Sequence, residues 1–259
     1  GIIFFSRNLT TPKQLNESIK ELKTYFKTPP FLAIDQEGGK VNRITTAFPV
    51  FPPNKFFGDR KNKEGLRKAY QTTAKELFKL GINFNLAPVV DVLEDEKCFI
   101  GERSFGKDIS LVCELSKIAI QSMQKENIIT CAKHFPGIGS LKEDPHKKLP
   151  EIKLSKKEFE KKDFLPFKTA ITTGVDTIMT THIIATKLDK RPVTFSKKIV
   201  TDILKKKLNF KGLVLTDDME MDAIANNFDF KEACKNAFLA GHDVILICHS
   251  LERQQEVLE

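Results

Sequence analysis

The chain is 259 residues long, 41% hydrophobic and 29% charged, a balance that can bury a full core and excludes a disordered polypeptide. No apolar run approaches the ~20 residues of a membrane-spanning helix, so no membrane span is expected. The formal net charge of +8 suits an anionic partner, but the lysines (Lys61, Lys63, Lys68, Lys75 and Lys79, then Lys205, Lys206 and Lys207) are spread along helix-like stretches without interleaved aromatics, and no nucleic-acid partner is expected.

Strand-like and helix-like segments alternate from end to end. Seven short apolar runs read as strands, at residues 2–5, 31–35, 84–91, 128–134, 176–182, 213–217 and 243–248. They are continuous runs, which suits parallel strands covered on both faces. Between them, Thr11-Pro12 opens a first helix with an N-cap and a proline at the first helical position, and Leu15, Ile19, Leu22 and Phe26 follow at helical spacing. A second helix carries Leu66, Ala69, Tyr70, Thr73 and Leu77 and stops before Gly81; a third carries Leu111, Leu115, Ile118 and Ala119. Ser155 and Glu158 form a capping box ahead of the fourth, which Pro166 is expected to kink or split. Ile199, Ile203 and Leu204 mark a fifth, residues 230–241 a sixth, and residues 251–259 the start of a seventh.

No composition break suggests a linker, so residues 1–259 read as a single domain. Doubly wound sheets usually stop at five to seven strands, whereas barrels need eight. With a chain that opens directly on a strand, the simplest α/β account is an eight-stranded, TIM-like (β/α)8 barrel whose first strand lies upstream of residue 1. The five cysteines (Cys98, Cys113, Cys131, Cys234, Cys248) are scattered and form no CxxC, which predicts free thiols, a reducing compartment and a cytoplasmic protein. A monomer is expected.

The strand ends carry the chemistry. In chain order they present Arg7 and Asn8, Asp35, Asp91, Lys133 and His134, His182, Asp217, and His249. On a barrel these ends share the face where active sites are built. Residues 31–43 (FLAIDQEGGKVNR) run from a strand to Asp35, a Gly38-Gly39 turn and Arg43; an acid there can accept sugar hydroxyls or merely make an Asx-type turn. Residues 85–91 (NLAPVVD) end likewise at Asp91, and Arg103 in the following loop can clamp a hydroxyl or a carboxylate.

The central stretch is Lys133-His134-Phe135-Pro136-Gly137-Ile138-Gly139, which leads into a polar loop carrying Asp144-Pro145-His146. Facing it, residues 211–221 (KGLVLTDDMEM) run into an acidic pair, in which Asp217 is expected to point into the barrel mouth and Asp218 to cap the next helix. An acidic pair with His134, Asp144 and His146 within reach raises a divalent metal. Against it, there is no HxH or HExxH, and the Asp-x-His pair lies in a loop, so neither metal nor cofactor is expected.

Together KHFPGIGSLKEDPH, LAIDQEGGKVNR, NFNLAPVVDV, RSFG and GLVLTDDMEM resemble the family 3 glycoside hydrolases, most closely the single-domain bacterial β-N-acetylglucosaminidases of cell-wall recycling. The resemblance runs from Ile2 to at least Cys248. It implies a (β/α)8 barrel with one strand before Gly1, and a retaining exo-enzyme that releases terminal β-linked N-acetylglucosamine from muropeptide fragments. By motif position it implies Asp217 as nucleophile, His146 as general acid/base and Asp144 as its dyad partner. Asp35, Arg43, Arg103, Lys133 and His134 would line the sugar pocket, with Met221 nearby. Two positions depart from the family pattern, which usually has His at Ile138 and Ser at Pro145; proline between the dyad members fixes φ and restricts loop closure. Two other readings stay open: a phosphorolytic relative, and a sugar-binding barrel without catalysis.

Overall fold

The computed structural model describes residues 1–142 and 149–259. Its centre is a parallel seven-stranded sheet in chain order: β1 (Ile2–Phe4), β2 (Leu32–Ile34), β3 (Phe84–Asn85), β4 (Ile129–Phe135), β5 (Thr177–Thr180), β6 (Leu213–Asp218) and β7 (Val244–Leu246). Each expected run overlaps one of them, β4 and β6 each extending one residue beyond it. Neighbours in sequence are neighbours in the sheet, as where Ala33 aligns with Ile3 on one side and Phe84 on the other. A doubly wound sheet reverses order at a switch point, and this one does not, so its winding is that of a barrel.

The sheet curls. Ala33, Phe84, Cys131, Met179, Leu215 and Leu246, from β2 through β7, pack into one interior cluster, with Ile3 of β1 against it. A flat sheet keeps its second and seventh strands far too distant for that. The alternate residues, such as Leu32, Ile34, Ala132, Ile178 and Val214, face outward into the layers formed with the helices. Among the described residues the curl stops short of closure: β1 and β7 do not pair, and an apolar slot of about 510 Å³ lies between them, lined by Ile3, Ala33, Leu215, Val244 and Leu246. At its upper end Arg7 donates from Nη2 to the Cys248 carbonyl at 2.8 Å. Among the described residues the sheet is therefore an open half-barrel of seven strands, the number expected in this chain for an eight-stranded barrel with its first strand upstream, and the closed (β/α)8 barrel itself is not seen.

The outer layer comprises α1 (Pro12–Thr24), α2 (Lys63–Leu80), α3 (Ile109–Gln124), α4 (Phe164–Thr173), a π-wound helix (Lys198–Lys207), α5 (Phe230–Ala240) and α6 (Leu251–Leu258). Thr11, Asn62, Asp108 and Asp229 cap α1, α2, α3 and α5, each accepting the backbone N–H three residues on. The Ser155–Glu158 capping box opens a short helix (Lys156–Lys161), and the chain breaks before α4, whose first turn accommodates Pro166. One strand is shorter than expected. The ladder at residues 84–91 covers only Phe84–Asn85, because Pro88 has no N–H to give, and pairing returns as a single bridge from Val89 to Lys133. All five cysteines are unpaired. No helix among the described residues is long and apolar enough to cross a membrane.

Candidate active site

The C-terminal ends of β2, β4 and β6 converge on a pocket of about 530 Å³, a volume suited to a small ligand. Asp35 reaches it from just past β2, Lys133 and His134 from β4, and Asp217 and Asp218 from β6; Arg43, Arg103 and Met221 complete the wall from the connecting segments. Seven expected site residues are thus brought together: Asp35, Arg43, Arg103, Lys133, His134, Asp217 and Met221. Asp144 and His146 lie outside the described residues.

Consecutive residues on a strand normally face opposite ways, yet Lys133 and His134 share this pocket, as do Asp217 and Asp218. Two bulges account for it. From Lys133 to Phe135 is two steps on β4 but one on β5, and from Leu215 to Asp218 is three steps on β6 but two on β7. The extra residue in each strand turns its neighbour toward the pocket. Asp218 accordingly does not cap the next helix as expected. Its Oδ1 accepts the Glu220 N–H at 3.1 Å, and its Oδ2 lies 3.1 Å from His249 Nε2. Burial raises the Asp218 carboxyl; the hydrogen bond from the Glu220 N–H and the nearby His249 oppose the rise, and the carboxylates of Glu220 and Asp217 add to it.

One wall of the pocket is backed by a network of paired charges. Lys133 Nζ bridges Asp35 Oδ1 at 2.8 Å and Glu37 Oε1 at 2.7 Å. Arg103 forks onto Glu37, Nε to Oε2 at 2.9 Å and Nη2 to Oε1 at 2.8 Å, and Arg43 Nη2 meets Asp35 Oδ2 at 3.1 Å. Burial alone would raise the Asp35 and Glu37 carboxyls, but Lys133 and Arg43 hold Asp35 below the ordinary carboxylate range, and Arg103 and Lys133 hold Glu37 well below it. Burial would lower Lys133, and Asp35 and Glu37 lift it above its usual value.

His134 is fixed from behind. Asp91, fully buried, accepts from His134 Nδ1 at 2.9 Å and from the backbone N–H groups of His134 and Ile138 at 3.2 and 2.8 Å. Arg103 can only donate, and its Nη2 lies 3.4 Å from His134 Nε2, which assigns the ring proton to Nδ1. Asp91 therefore serves the site without lining it. Ile138, buried in the core, has a packing role. The turn needs its glycines: a Cβ on Gly139 would sit 1.9 Å from the Val92 carbonyl, and Gly137 has φ +120 with Asp163 directly beneath. His182 likewise acts from below, with Nε2 2.9 Å from the Asp218 carbonyl and Nδ1 2.7 Å from Thr194 Oγ1.

Sequence reading missed Glu37. The usable signal was period two: Glu37 is two positions past Asp35, in the strand of a small hairpin (Gln36–Gly38 with Val41–Asn42), and so shares its face.

Asp163 is 2% exposed, and among the described residues neither of its carboxylate oxygens has a hydrogen-bond partner. Burial pushes it up to about 7, with Lys162 opposing and Asp91 and Glu94 adding to the rise. Because the folded state holds this proton more tightly than the unfolded chain, its contribution to stability falls as pH rises from about 4 through 7. Asp163→Asn removes that slope. It is expected to stabilise the protein at pH 8 by on the order of 4 kcal/mol relative to its effect at pH 4, read from denaturant unfolding at both pH values.

Charges paired so closely offer many donors and acceptors with little net charge, which is what a neutral polyol asks of a pocket. Set at the strand ends of a curled parallel α/β sheet, they make a pocket suited to a small, polar, neutral ligand.

Comparison with known proteins gives the family. The whole chain, residues 1–259, matches the glycosyl hydrolase family 3 N-terminal domain. It is 33% identical over 264 residues to the beta-hexosaminidase of Nitrosomonas eutropha, covering 100% of this chain and 76% of that protein. Among solved structures, the family 3 beta-N-acetylglucosaminidase of Paenibacillus sp. str. FPU-7 superposes with a TM-score of 0.97 at 35% identity, over 100% of this chain and 50% of that one. NagZ from Neisseria gonorrhoeae, in complex with N-trifluoroacetyl-D-glucosamine, superposes with a TM-score of 0.93 at 30% identity, over 99% of this chain and 76% of that one. The chain thus spans about three quarters of the Nitrosomonas protein and half of the Paenibacillus chain. It belongs to glycosyl hydrolase family 3 and is a glycoside hydrolase.

Proposed function

We propose that the protein is a retaining exo-β-N-acetylglucosaminidase that removes terminal β-linked N-acetylglucosamine from small muropeptide fragments in the cytoplasm. The observation that carries the reading is the meeting of Asp217 in one pocket with Asp35, Lys133 and Arg103, which Glu37 ties together from behind. The names of the relatives, beta-hexosaminidase and beta-N-acetylglucosaminidase, support the choice of sugar.

In this reading Asp35, Arg43, Arg103, Lys133 and His134 hold the terminal sugar, with Met221 beside it. Asp217 attacks the anomeric carbon as the bond to the leaving oxygen breaks, forming a glycosyl-aspartate. His146 gives its proton to that oxygen, then takes one from water as water displaces Asp217. An acid beside an ionised carboxylate must stay protonated near neutrality; a glutamate would need its pKa raised by ~2 units, whereas imidazole starts near ~6.5. Asp144 orients the ring. An eighth strand ahead of Gly1, seated between β1 and β7, completes the barrel; the two unpaired edges and the apolar slot support it.

The test is hydrolysis of a panel of aryl β-glycosides with and without phosphate. N-acetylglucosaminide cleavage with free sugar as product is expected. Sugar-1-phosphate in phosphate buffer would mean phosphorolysis, and binding without turnover a silent barrel. His146→Ala is expected to impair substrates with poor leaving groups ~100-fold or more, while activated aryl glycosides lose far less in the bond-breaking step. Equal losses on both would contradict the acid role.

A further inference from the structure

We propose that Glu37 is a positioning residue that sets the charge balance of the sugar pocket, so that Lys133 and Arg103 serve as donors to a neutral sugar instead of forming an anion site. The inference rests on the sugar-binding reading above and assigns the pocket a device for rejecting anions.

Three cations, Arg43, Arg103 and Lys133, stand on this wall. Asp35 pairs with two of them, Arg43 and Lys133, and itself lines the pocket. Glu37 is different. Its side chain is 2% exposed, it does not line the pocket, and both its oxygens are spent on Arg103 and Lys133. Among the described residues Glu37 is the acid in ion-pair contact with Arg103. It therefore touches neither sugar nor reacting atoms, yet it fixes where two donors point and cancels one of the positive charges behind them. Without that charge, Arg103 has no acid in ion-pair contact among the described residues and Lys133 keeps only Asp35, and an under-compensated guanidinium beside an ammonium is the recognition chemistry of sulfate, phosphate and carboxylate.

The effect is readable without turnover. Inorganic sulfate is titrated calorimetrically into the wild-type protein, Glu37→Gln and Glu37→Asp, and aryl N-acetylglucosaminide kinetics are run alongside. Glu37→Gln keeps the shape but not the charge, and is expected to bind sulfate about tenfold more tightly than wild type, with an affinity that falls as ionic strength rises. Glu37→Asp keeps the charge one methylene further from Arg103, and is expected to raise KM while leaving sulfate binding at the wild-type level. Equal sulfate affinity in Glu37→Gln and wild type overturns the proposal, as does a Glu37→Asp protein that binds sulfate as tightly as Glu37→Gln. If Glu37→Gln folds only when sulfate is added, the anion is replacing the missing charge and the proposal stands; if it stays unfolded at high sulfate, the proposal fails. A wild-type protein that hydrolyses no N-acetylglucosaminide would overturn the proposed function, while the sulfate arm would still judge Glu37.

Discussion

Replacing Asp217 with alanine is expected to lower kcat/KM on aryl N-acetylglucosaminides by on the order of 10⁵-fold, with the melting temperature close to that of wild type. The asymmetry between activity and stability follows from the position. Asp217 sits at the tip of β6, half-buried on the pocket wall, and its Oδ1 accepts one hydrogen bond, from the Asp218 N–H at 2.9 Å. Losing that contact at a strand end costs little of the fold. Losing the carboxylate removes the group that would carry the sugar between the two halves of the reaction. Azide entering the vacated space is expected to restore turnover on activated substrates and to yield the α-configured glycosyl azide, since it attacks from the face the carboxylate used. Near-normal activity in Asp217→Ala would remove it from the mechanism.

The second large effect is expected at Lys133, where activity and stability fall together. Lys133→Met leaves the buried Glu37 and the partly buried Asp35 without the ammonium that bridges them at 2.7 and 2.8 Å. Breaking a buried ion pair from one side costs about 3–5 kcal/mol, and, with Lys133 in its proposed role as a charged donor to the sugar, its loss costs about a further hundredfold in kcat/KM. The pH dependence separates this from generic damage. In the wild type both carboxyls are held below their ordinary range, so their stabilisation is present above the unfolded-state pKa and is lost as pH falls through the lowered values. In Lys133→Met that depression is relieved, and protonation eases the repulsion between the two acids. The stability deficit relative to wild type is therefore expected to shrink as pH falls from 7 toward 4 in denaturant titrations; a constant deficit would point to lost packing alone.

Much of the scaffold is legible in the chain because buried parallel strands announce themselves as short apolar runs, and because Thr11-Pro12, Ser155 with Glu158, and Pro166 act through their own backbone. The residue types of the site are legible too, since acids and cations at the ends of such runs have few structural reasons to be there. What strand alternation hides is direction. It predicts that Lys133 and His134 diverge, and likewise Asp217 and Asp218, whereas a bulge in each strand brings both pairs to the pocket. Bulges arise from register against a neighbouring strand, which no single stretch of sequence records. Glu37 was obscured for a related reason: it lies past the apolar run that marks β2, in a polar hairpin, and its importance comes from Arg103 and Lys133, distant in sequence. Asp91 stood out as a strand end, but its role behind His134 depends on the fold of the 134–139 turn.

The account depends above all on Asp217 forming the covalent bond to the sugar. A fluorinated N-acetylglucosaminyl substrate that forms the glycosyl-enzyme quickly and releases it slowly allows the adduct to be mapped by peptide mass spectrometry. The predicted result is one sugar per chain, attached to the peptide that contains Asp217, with β-configured N-acetylglucosamine as the first product of normal turnover. A label on another residue, or an α-configured first product, would contradict it.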